Sequence, residues 1–492
     1  MELADAVALR DKLYRRLTGE KGQARRVGRH LDYFRGKHPL RMASLQFQQA
    51  FQSRYTGFAD NWCAPVAQAP SERMNFLGVR LPDAEQRDVD DELRRVWTEN
   101  DADGGSSEAL LVMLTTGKAY ALVWSNPDDE DTPRLTWEHP AHCIVGYDAD
   151  TGRPVAGLKT WRDENTEFAT LYAPDEVWKW QRTAQVGGQT TSGLYVVGSA
   201  ASGGWAPRQP KTDDKWPLEN PMGMVALVEL RNMTLLDDDP ISDIAGVEAM
   251  QDAINLVWAY LFNALDFASL PQRVVLGTDV PEVPVLDDQG QVVGKRKLDI
   301  KRLMQDRILW LINKDAKIDS WSAADLDPFS AVIEQAVEHV SAQTRTPPHY
   351  MIGKVQNVNA EALTVAETGL VAKTGERITY TNRPMRRIHQ LLALAKGDTD
   401  TAAAIARATL VWGDPQYRSI AQKTDALVKL KAAGFPLEWL AEWYGLPPEE
   451  VTRVMNMLQS QANRVAGGDL AALIAGPKPQ PEDGPPGPAP MP

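Results

Sequence analysis

The segment LTTGKAY, residues 114–120, is where the sequence comes nearest to a phosphate-binding loop. A Walker loop has the pattern G-x-x-x-x-G-K-[ST], in which the first glycine lets the backbone curl around a phosphate. Gly117 and Lys118 match this pattern, but Val112 stands at the first glycine and Ala119 at the magnesium-binding serine or threonine. We therefore predict no nucleotide site here.

Two other clusters have side chains of metal-binding types. His139, His142 and Cys143 lie together in EHPAHC, but no second Cys/His pair follows at ligand spacing, which favours a structural role. The acidic run LDDDP, residues 236–240, could hold a divalent cation through Asp237, Asp238 and Asp239, although helix capping is the better explanation of these residues. No G-x-S-x-G elbow, H-E-x-x-H or dinucleotide fingerprint occurs. We predict no catalytic residue, no metal and no cofactor.

The composition is that of an ordinary folded protein. The 492 residues are 43% hydrophobic and 24% charged, and the formal net charge is −13. This acidity argues against a general nucleic-acid binder, but not against a protein that lets DNA pass without gripping it. Two cysteines indicate a reducing compartment without a disulfide framework. We expect no signal peptide and no membrane span.

The first half of the chain predicts helices followed by a sheet. Residues 5–35 have a helical pattern, and a second helix is predicted from Ser44 to Pro65, where aromatic residues recur at spacings of three and four. Short alternating runs such as KAYALVWSN then predict an antiparallel sheet over about residues 118–232.

The second half predicts long helices separated by an insert. Asp239 and Pro240 suggest the start of a helix that runs to about Phe267. Short strands and a basic cluster follow, and then a second helix in DPFSAVIEQAVEHVSAQTR.

Beyond an amide-rich loop, PPHYMIGKVQNVNAEAL, the remaining chain again predicts helices. Two prolines disfavour helix at the start of this loop. The segment from Ala360 to about Lys396 contains Gly369, Gly375 and Pro384, so we predict a bent or broken helix. A small helical unit follows, and then a proline-rich tail that cannot build a core.

The order of these elements resembles that of the portal (head-to-tail connector) proteins of tailed bacteriophages, in the branch with long non-contractile tails. Each matching segment alone is a weak signature, but their joint order over about residues 25–465 is specific. The segments are YFRGKHPL, FADNWCAPVAQAPSERMNFLGVR, NPMGMVALVELRN, ISDIAGVEAMQDAINLVWAYLFNALDFASLPQRVVLG, TPPHYMIGKVQNVNAEAL and VWGDPQYRSIAQKTDALVKLKAAGFP.

The resemblance implies an α+β portal-type fold. Its parts are a wing of helices and antiparallel sheet, a two-helix stem, a small α/β clip, a long kinked helix and a helical crown. The implied division is an N-terminal arm 1–24, wing 25–240, stem helices 241–270 and 328–345, clip 271–327, tunnel loop 346–360, kinked helix and wing return 361–415, crown 416–466, and a disordered tail 467–492.

The function implied by the resemblance is structural. Such proteins form a ring, typically of twelve subunits, at the unique capsid vertex, through which double-stranded DNA enters and leaves. The ring docks the large terminase ATPase and a head-completion or tail adaptor, among major capsid and scaffolding proteins. This implies a place in the virion, reached from the host cytoplasm, with no membrane involved.

Three sets of residues are implied to act in such a ring. The tunnel loop would touch DNA without reading its sequence through Lys354, Gln356, Asn357 and Asn359. The stem would line the channel with acidic residues, namely Glu248, Asp252, Asp266, Glu334 and Glu338. A basic cluster would lie in the clip as a partner-docking patch, with nucleic-acid contact or a solvated face as alternatives; it comprises Lys295, Arg296, Lys297, Lys301 and Arg302.

Two rival classes fit the same composition. A scaffolding or minor capsid protein would lack the order helix, insert, helix and would close no ring. A soluble enzyme of unknown type would work as a small oligomer with a polar pocket. The mass of the particle in solution separates these classes from a portal ring.

Overall fold

The computed structural model describes most of the chain, and the account below concerns those residues. They are residues 1–40, 43–45, 47–49, 57–82, 90–183, 204–208, 216–236, 239–269, 273–276, 282–286, 291–297, 308–311, 326–352, 360–416, 420–446 and 448–474.

Helices and short strands alternate along the described chain. The helices are α1 (Leu3–Thr18), α2 (Gln23–Phe34), α3 (Cys63–Ser71), α4 (Asp91–Glu99), α5 (Ala102–Thr116), α6 (Glu248–Ser269), α7 (Asp327–Thr344), α8 (Pro348–Ile352), α9 (Ala360–Ala395), α10 (Thr399–Ile405), α11 (Ile420–Ala432), α12 (Leu437–Tyr444) and α13 (Pro448–Ile474). The strands are β1 (Phe76–Arg80), β2 (Lys118–Trp124), β3 (Arg134–Glu138), β4 (Cys143–Tyr147), β5 (Pro154–Asp163), β6 (Thr166–Tyr172), β7 (Glu176–Thr183), β8 (Ala206–Pro207), β9 (Leu218–Glu219), β10 (Leu227–Arg231), β11 (Arg273–Leu276), β12 (Glu282–Leu286), β13 (Val292–Lys297), β14 (Ile308–Leu311) and β15 (Thr409–Trp412).

The sheets are mainly antiparallel. The largest has the order β4-β5-β6-β7-β8, with β9 also paired to β7, and a second has the order β10-β2-β3. Strand β1 pairs with β15 and β12 pairs with β13, both antiparallel, whereas β11 and β14 are parallel. The antiparallel sheet predicted for about residues 118–232 is confirmed, and the fold is a mixture of helix and antiparallel sheet.

The main core lies around β2, which α5 and α9 both contact. Six consecutive residues of β2 are buried, so both faces of this strand are covered. From α5, Leu110, Met113 and Leu114 are at most 1% exposed, and from α9 Met385 and Ile388 are fully buried. Each such side chain stabilises the fold by about 1.5–3 kcal/mol relative to exposure.

The first helix is part of the six-stranded sheet's core and does not stand apart as an arm. Leu13 and Leu17 of α1 are buried in one cluster with strand residues of that sheet. The Arg10 guanidinium lies over the Trp180 ring at 4.7 Å, a cation–π contact. The boundary expected at residue 24 therefore cuts through a packed unit.

The prediction of a single helix from Ser44 to Pro65 is wrong. Gly57 has a left-handed φ of +80°, the described residues after it are not helical, and α3 begins only at Cys63. Gln251 of α6 donates to the Asp60 carbonyl at 2.5 Å and accepts from the Trp62 amide at 2.7 Å. These side-chain contacts replace the backbone bonds that a continuous helix would make.

The start of α6 also differs from prediction, because the helix begins at Glu248 and not at Asp239–Pro240. The preceding segment completes the end of α5 instead. The Asp243 amide donates to the Leu114 carbonyl at 2.9 Å, and Ser242 Oγ donates to the Thr115 carbonyl. These are the carbonyls that the last turn of a helix leaves unpaired, so a tertiary contact outweighs the local helix signal.

Three further expectations need correction. Helix α9 runs from Ala360 to Ala395 with Pro384 inside it, so the predicted break does not occur and the predicted bend stays a prediction. Tertiary packing offsets the propensity cost of about 3 kcal/mol for one proline. Pro348 is the first residue of the short helix α8, a position that tolerates proline, so the start of the loop is helical. Helix α13 continues to Ile474, past the expected end of order at residue 466.

Candidate functional site

The candidate site is the helix pair α6 and α7, together with the turn that leads from α7 through α8 to residue 353. The two helices contact each other, and α8 contacts α7 and α3. In the chain, α6 is followed by β11, and α7 follows β14.

Helix α6 is held to α2 by buried acidic side chains. Glu248 is 2% exposed and pairs with Arg29 and with His30 Nδ1, which is 2.6 Å away. Asp252 is 6% exposed and both of its carboxylate oxygens accept from Tyr33 Oη at 2.8 Å. These two carboxylates are occupied inside the molecule, so the prediction that they line a channel is wrong for them.

A second set of polar contacts holds α6 one turn further along. Asn255 Oδ1 accepts from the Asp60 amide at 3.0 Å, which directs its Nδ2 towards His38 Nδ1 at 2.8 Å. His38 Nε2 in turn donates to the Tyr33 carbonyl at 2.9 Å. Trp258 Nε1 donates to Asp60 Oδ2 at 2.7 Å. Burial lowers the pKa of His38 and outweighs the Tyr33 carbonyl and the neighbouring acids.

The turn before α6 carries a buried ion-pair cluster that fixes it to α9. The Asp243 side chain is fully buried, with Lys373 Nζ at 3.0 Å and Arg377 Nη2 at 3.0 Å. Asn232 Nδ2 donates to the same carboxylate at 2.8 Å. Burial lowers the pKa of Lys373, and Asp243 opposes that effect. A buried carboxylate with two cations and an amide donor rigidly positions the root of α6.

Helix α7 is anchored along one face and exposed along the other. Ile333, Val337 and Val340 recur at spacings of four and three and belong to the main core. Glu334 and Glu338, one helical turn apart, are exposed. Glu334 and Glu338 of α7 are therefore exposed to solvent, whereas Glu248 and Asp252 of α6 are buried.

The turn after α7 is braced by hydroxyl groups. Arg345 has a left-handed φ of 55°, which ends the helix. Ser341 Oγ donates to the Thr346 carbonyl at 2.6 Å, and Thr344 Oγ1 lies 3.0 Å from Thr346 Oγ1. Met351 of α8 is 6% exposed and joins the main core. These contacts therefore fix the position of the chain up to Met351, shortly before residue 353.

Most of the residues expected to act in the loop and in the basic cluster lie outside the helix pair α6 and α7 and its following turn. Lys354, Gln356, Asn357, Asn359, Lys301 and Arg302 lie outside the described residues. Lys295, Arg296 and Lys297 lie on β13, where they are register partners of Pro284, Val283 and Glu282 of β12. Asp266 lies in α6.

The other candidates have structural roles. Lys118 is buried, with Glu229 Oε1 at 3.0 Å and Asp239 Oδ1 at 3.3 Å, so it does not point at a ligand and Asp239 is not a helix cap. Burial, followed by His142 and Arg35, lowers the pKa of His139 to about 4, and burial raises the pKa of the Cys143 thiol well above its usual value. The described ranges contain no cluster of three metal-binding side chains.

Within the part of the chain that the structure covers, no helix combines the length and apolar character needed to cross a bilayer.

Sequence reasoning missed the polar anchors of α6. One signal was available: Lys373 and Arg377 are four residues apart in α9, a spacing that brings two cations to one side of a helix. Their acidic partner, Asp243, is 130 residues away in sequence and carried no local signal.

Comparison with known proteins gives a consistent result. The family described as phage portal protein, SPP1 Gp6-like, matches residues 19–447. The portal protein of Mycobacterium phage D29 is 25% identical over 450 residues, covering 88% of this chain and 84% of that protein. The portal protein of Mycobacterium phage L5 is 26% identical over 377 residues, covering 74% and 70%.

Solved structures with a similar chain include two necks of gene transfer agent (GTA) particles. The chain in the neck of an empty GTA particle, computed with C6 symmetry, is 14% identical with a TM-score of 0.42. That in the neck of a native particle, computed with C12 symmetry, is 14% identical with a TM-score of 0.37. Each match covers 82% of this chain and 95% of the other.

Proposed function

Since the chain belongs to the SPP1 Gp6-like family of phage portal proteins, which are structural virion components and not enzymes, we propose that it forms a ring at one capsid vertex. The ring is a conduit for double-stranded DNA during packaging and ejection. The family match over residues 19–447 carries this proposal.

The geometry of the helix pair supports the proposal. Helix α6 is fixed to α2 and α9 by buried polar contacts, whereas α7 keeps a continuous exposed face with Glu334 and Glu338. A ring of such subunits would turn α7 towards the passage, where acidic side chains repel phosphate and keep DNA moving. The acidic channel wall is thereby assigned to Glu334 and Glu338, and Asp266 of α6 stays a predicted member of it.

In this proposal, residues 353–359 contact the passing duplex. One lysine per subunit, Lys354, and three amides give weak, sequence-independent contacts with phosphate that salt screens. Because the sequence has no phosphate loop, the energy for DNA movement comes from a separate ATPase, the large terminase.

The segment between α6 and α7 is the proposed docking platform. It holds two small strand pairs, β11 with β14 and β12 with β13, and the basic residues of β13. Strand pairs this small need neighbours to complete their packing, so we assign them to the contacts between subunits and with the terminase and the head-completion or tail adaptor. Major capsid and scaffolding proteins surround the ring, which enters the virion from the host cytoplasm.

Light scattering after size exclusion tests ring formation directly. With a subunit of 54.4 kDa, a ring of twelve has a mass of roughly 650 kDa, and an unassembled chain has one-twelfth of that. The unassembled form would be followed by electron microscopy of particles made with capsid protein. A stable dimer or tetramer, and no ring in assembled particles, would refute the proposal.

Replacing Lys354 with Ala tests the loop separately. We expect rings of unchanged mass and a change in how completely particles package or retain DNA. Lys354→Arg, which keeps the charge, is the matched control and should package as the wild type does. Full, stable genomes in Lys354→Ala particles would remove the loop from the proposed DNA path.

A further inference from the structure

Arg73 joins three separate segments of the chain through one buried guanidinium. It lies in the turn after α3, and its side chain is 1% exposed. Nη2 donates to Tyr350 Oη at 2.7 Å and lies 3.3 Å from Glu367 Oε1. Nη1 donates to the Pro415 carbonyl at 3.1 Å. Because the guanidinium is planar with donors in fixed directions, it fixes these three partners relative to one another.

Two of the partners flank residues 353–359. Tyr350 belongs to α8, just before that segment, and Glu367 lies on the second turn of α9, just after it. His349 Nε2 is 3.6 Å from the same Glu367 Oε1. A displacement of α8 against α9 would therefore break charge-assisted contacts inside a buried site, which is costly.

The third partner leads to the C-terminal helices. Pro415 follows β15 and precedes α11 by a few residues. Strand β15 is itself tied to α9, because Trp412 Nε1 donates to Asn382 Oδ1 at 2.8 Å. The carbonyl that Arg73 holds is thus in the link between the main fold and the unit α11–α13.

We propose that Arg73 is a positioning residue that couples the junction of α8 and α9 to the link before α11. When one of these segments shifts, the shared guanidinium transmits the shift to the other. The meaning of this coupling for DNA rests on the proposed function, in which residues 353–359 touch the duplex, so that contact in the passage would reach α11–α13 through Arg73. The coupling itself is a property of the purified chain.

Hydrogen exchange on the purified protein without DNA tests the coupling. In Arg73→Met we expect amides of residues 346–352 and of residues 409–416 to exchange faster together, by about tenfold or more. The control is Arg182→Met, which removes another largely buried arginine, paired with Glu167 of the six-stranded sheet and with Tyr14 of α1. It should leave both segments unchanged.

Arg73→Lys separates charge from geometry. A lysine can pair with Glu367 but lacks the fork that reaches Pro415, so residues 346–352 should return towards wild-type exchange while residues 409–416 stay fast. Tyr350→Phe and Glu367→Gln serve if Arg73→Met does not fold. Each should speed exchange in residues 409–416 as well as in residues 346–352.

Three outcomes would overturn the coupling: exchange in Arg73→Met that changes in only one segment, exchange in Arg73→Met that changes in neither, or the same change in Arg182→Met. A failure of the proposed function is distinguishable. If Lys354→Ala particles retain DNA normally while the Arg73 variants exchange as expected, the coupling stands and the DNA role of the loop does not.

Discussion

Helices α6 and α7 lie side by side, and both carry acidic residues that the sequence alone treats alike. On α6, Glu248 and Asp252 are buried and engaged by α2, and Asp243 just before the helix is engaged by α9. On α7, Glu334 and Glu338 are exposed. The difference shows that the acidic side chains of α6 help to hold that helix inside the fold, whereas those of α7 are on its exposed face.

The largest effect should come from Asp243. Asp243→Asn removes the only described carboxylate shared by Lys373 and Arg377 while both cations stay buried, so we expect the free energy of unfolding to fall by about 3–5 kcal/mol. Urea denaturation measures it. Adding Lys373→Met should recover part of the loss, since it removes one of the two buried cations that Asp243 neutralises. If Asp243→Asn alone were as stable as the wild type, α6 would not be fixed in this way.

Substitutions at Tyr33 and Asp252 should lower the free energy of unfolding by less than Asp243→Asn does, and their effects should not be additive. Tyr33→Phe leaves a buried carboxylate without the hydroxyl that bonds both its oxygens, which should cost about 1–3 kcal/mol. Asp252→Asn should cost a similar amount. The double variant should cost clearly less than the sum, because both changes remove one interaction. Additive losses would show that the two groups act independently.

Acidification should speed hydrogen exchange in residues 248–258 of α6 more than in α7. The pKa of His38 is lowered from 6.5 in the folded protein, so the unfolded chain binds more protons as the pH falls through about 6.5, and stability is lost on going to lower pH. Protonation also removes the Nδ1 lone pair that accepts from Asn255. Hydrogen exchange corrected for intrinsic rates should therefore rise in residues 248–258 between pH 7.5 and 5.5.

His38→Gln is the control for that measurement. Glutamine does not titrate in this range, so the pH dependence in residues 248–258 should shrink even if the protein is less stable throughout. Equal acceleration of α6 and α7 in the wild type would contradict the assignment to His38.

The smallest effect on folding should come from α7. Glu334→Gln and Glu338→Gln change exposed side chains, and we expect the free energy of unfolding to change by less than about 0.5 kcal/mol. Their effect should appear only in assembled particles, as slower DNA movement that recovers at high salt. A large loss of stability in the free chain would place these residues in an internal contact and reverse the comparison.

Local sequence patterns correctly predicted the elements whose structure depends on neighbouring residues in the sequence. The strands β2 to β7 follow from alternation, and α7 follows from apolar residues at spacings of three and four with Pro328 near its start. The resemblance supplied the order of the parts and the family. Both rest on the printed sequence and needed no knowledge of long-range contacts.

The errors share a different cause. The start of α6, the break before α3 and the burial of Glu248 and Asp252 are each decided by a partner far away in sequence, such as α5 for the segment before α6. A carboxylate on a helix reads as exposed until the element packed against it is known. Site residues in the loop and most of the basic cluster remain predictions for the same reason, since their roles depend on partners beyond the chain.

The parallel pairing of β11 with β14 has a consequence for how such chains diversify. Arg273 and Ile308 are register partners, so β11 and β14 run side by side in the same direction, and the chain between them must cross back from the end of one strand to the start of the other. The cost of closing such a connection grows only slowly with its length, so it can be lengthened or shortened while the strand pair is kept. Over evolutionary time, the stretch between residues 277 and 307 can therefore change in length and sequence while α6 and α7 keep their positions.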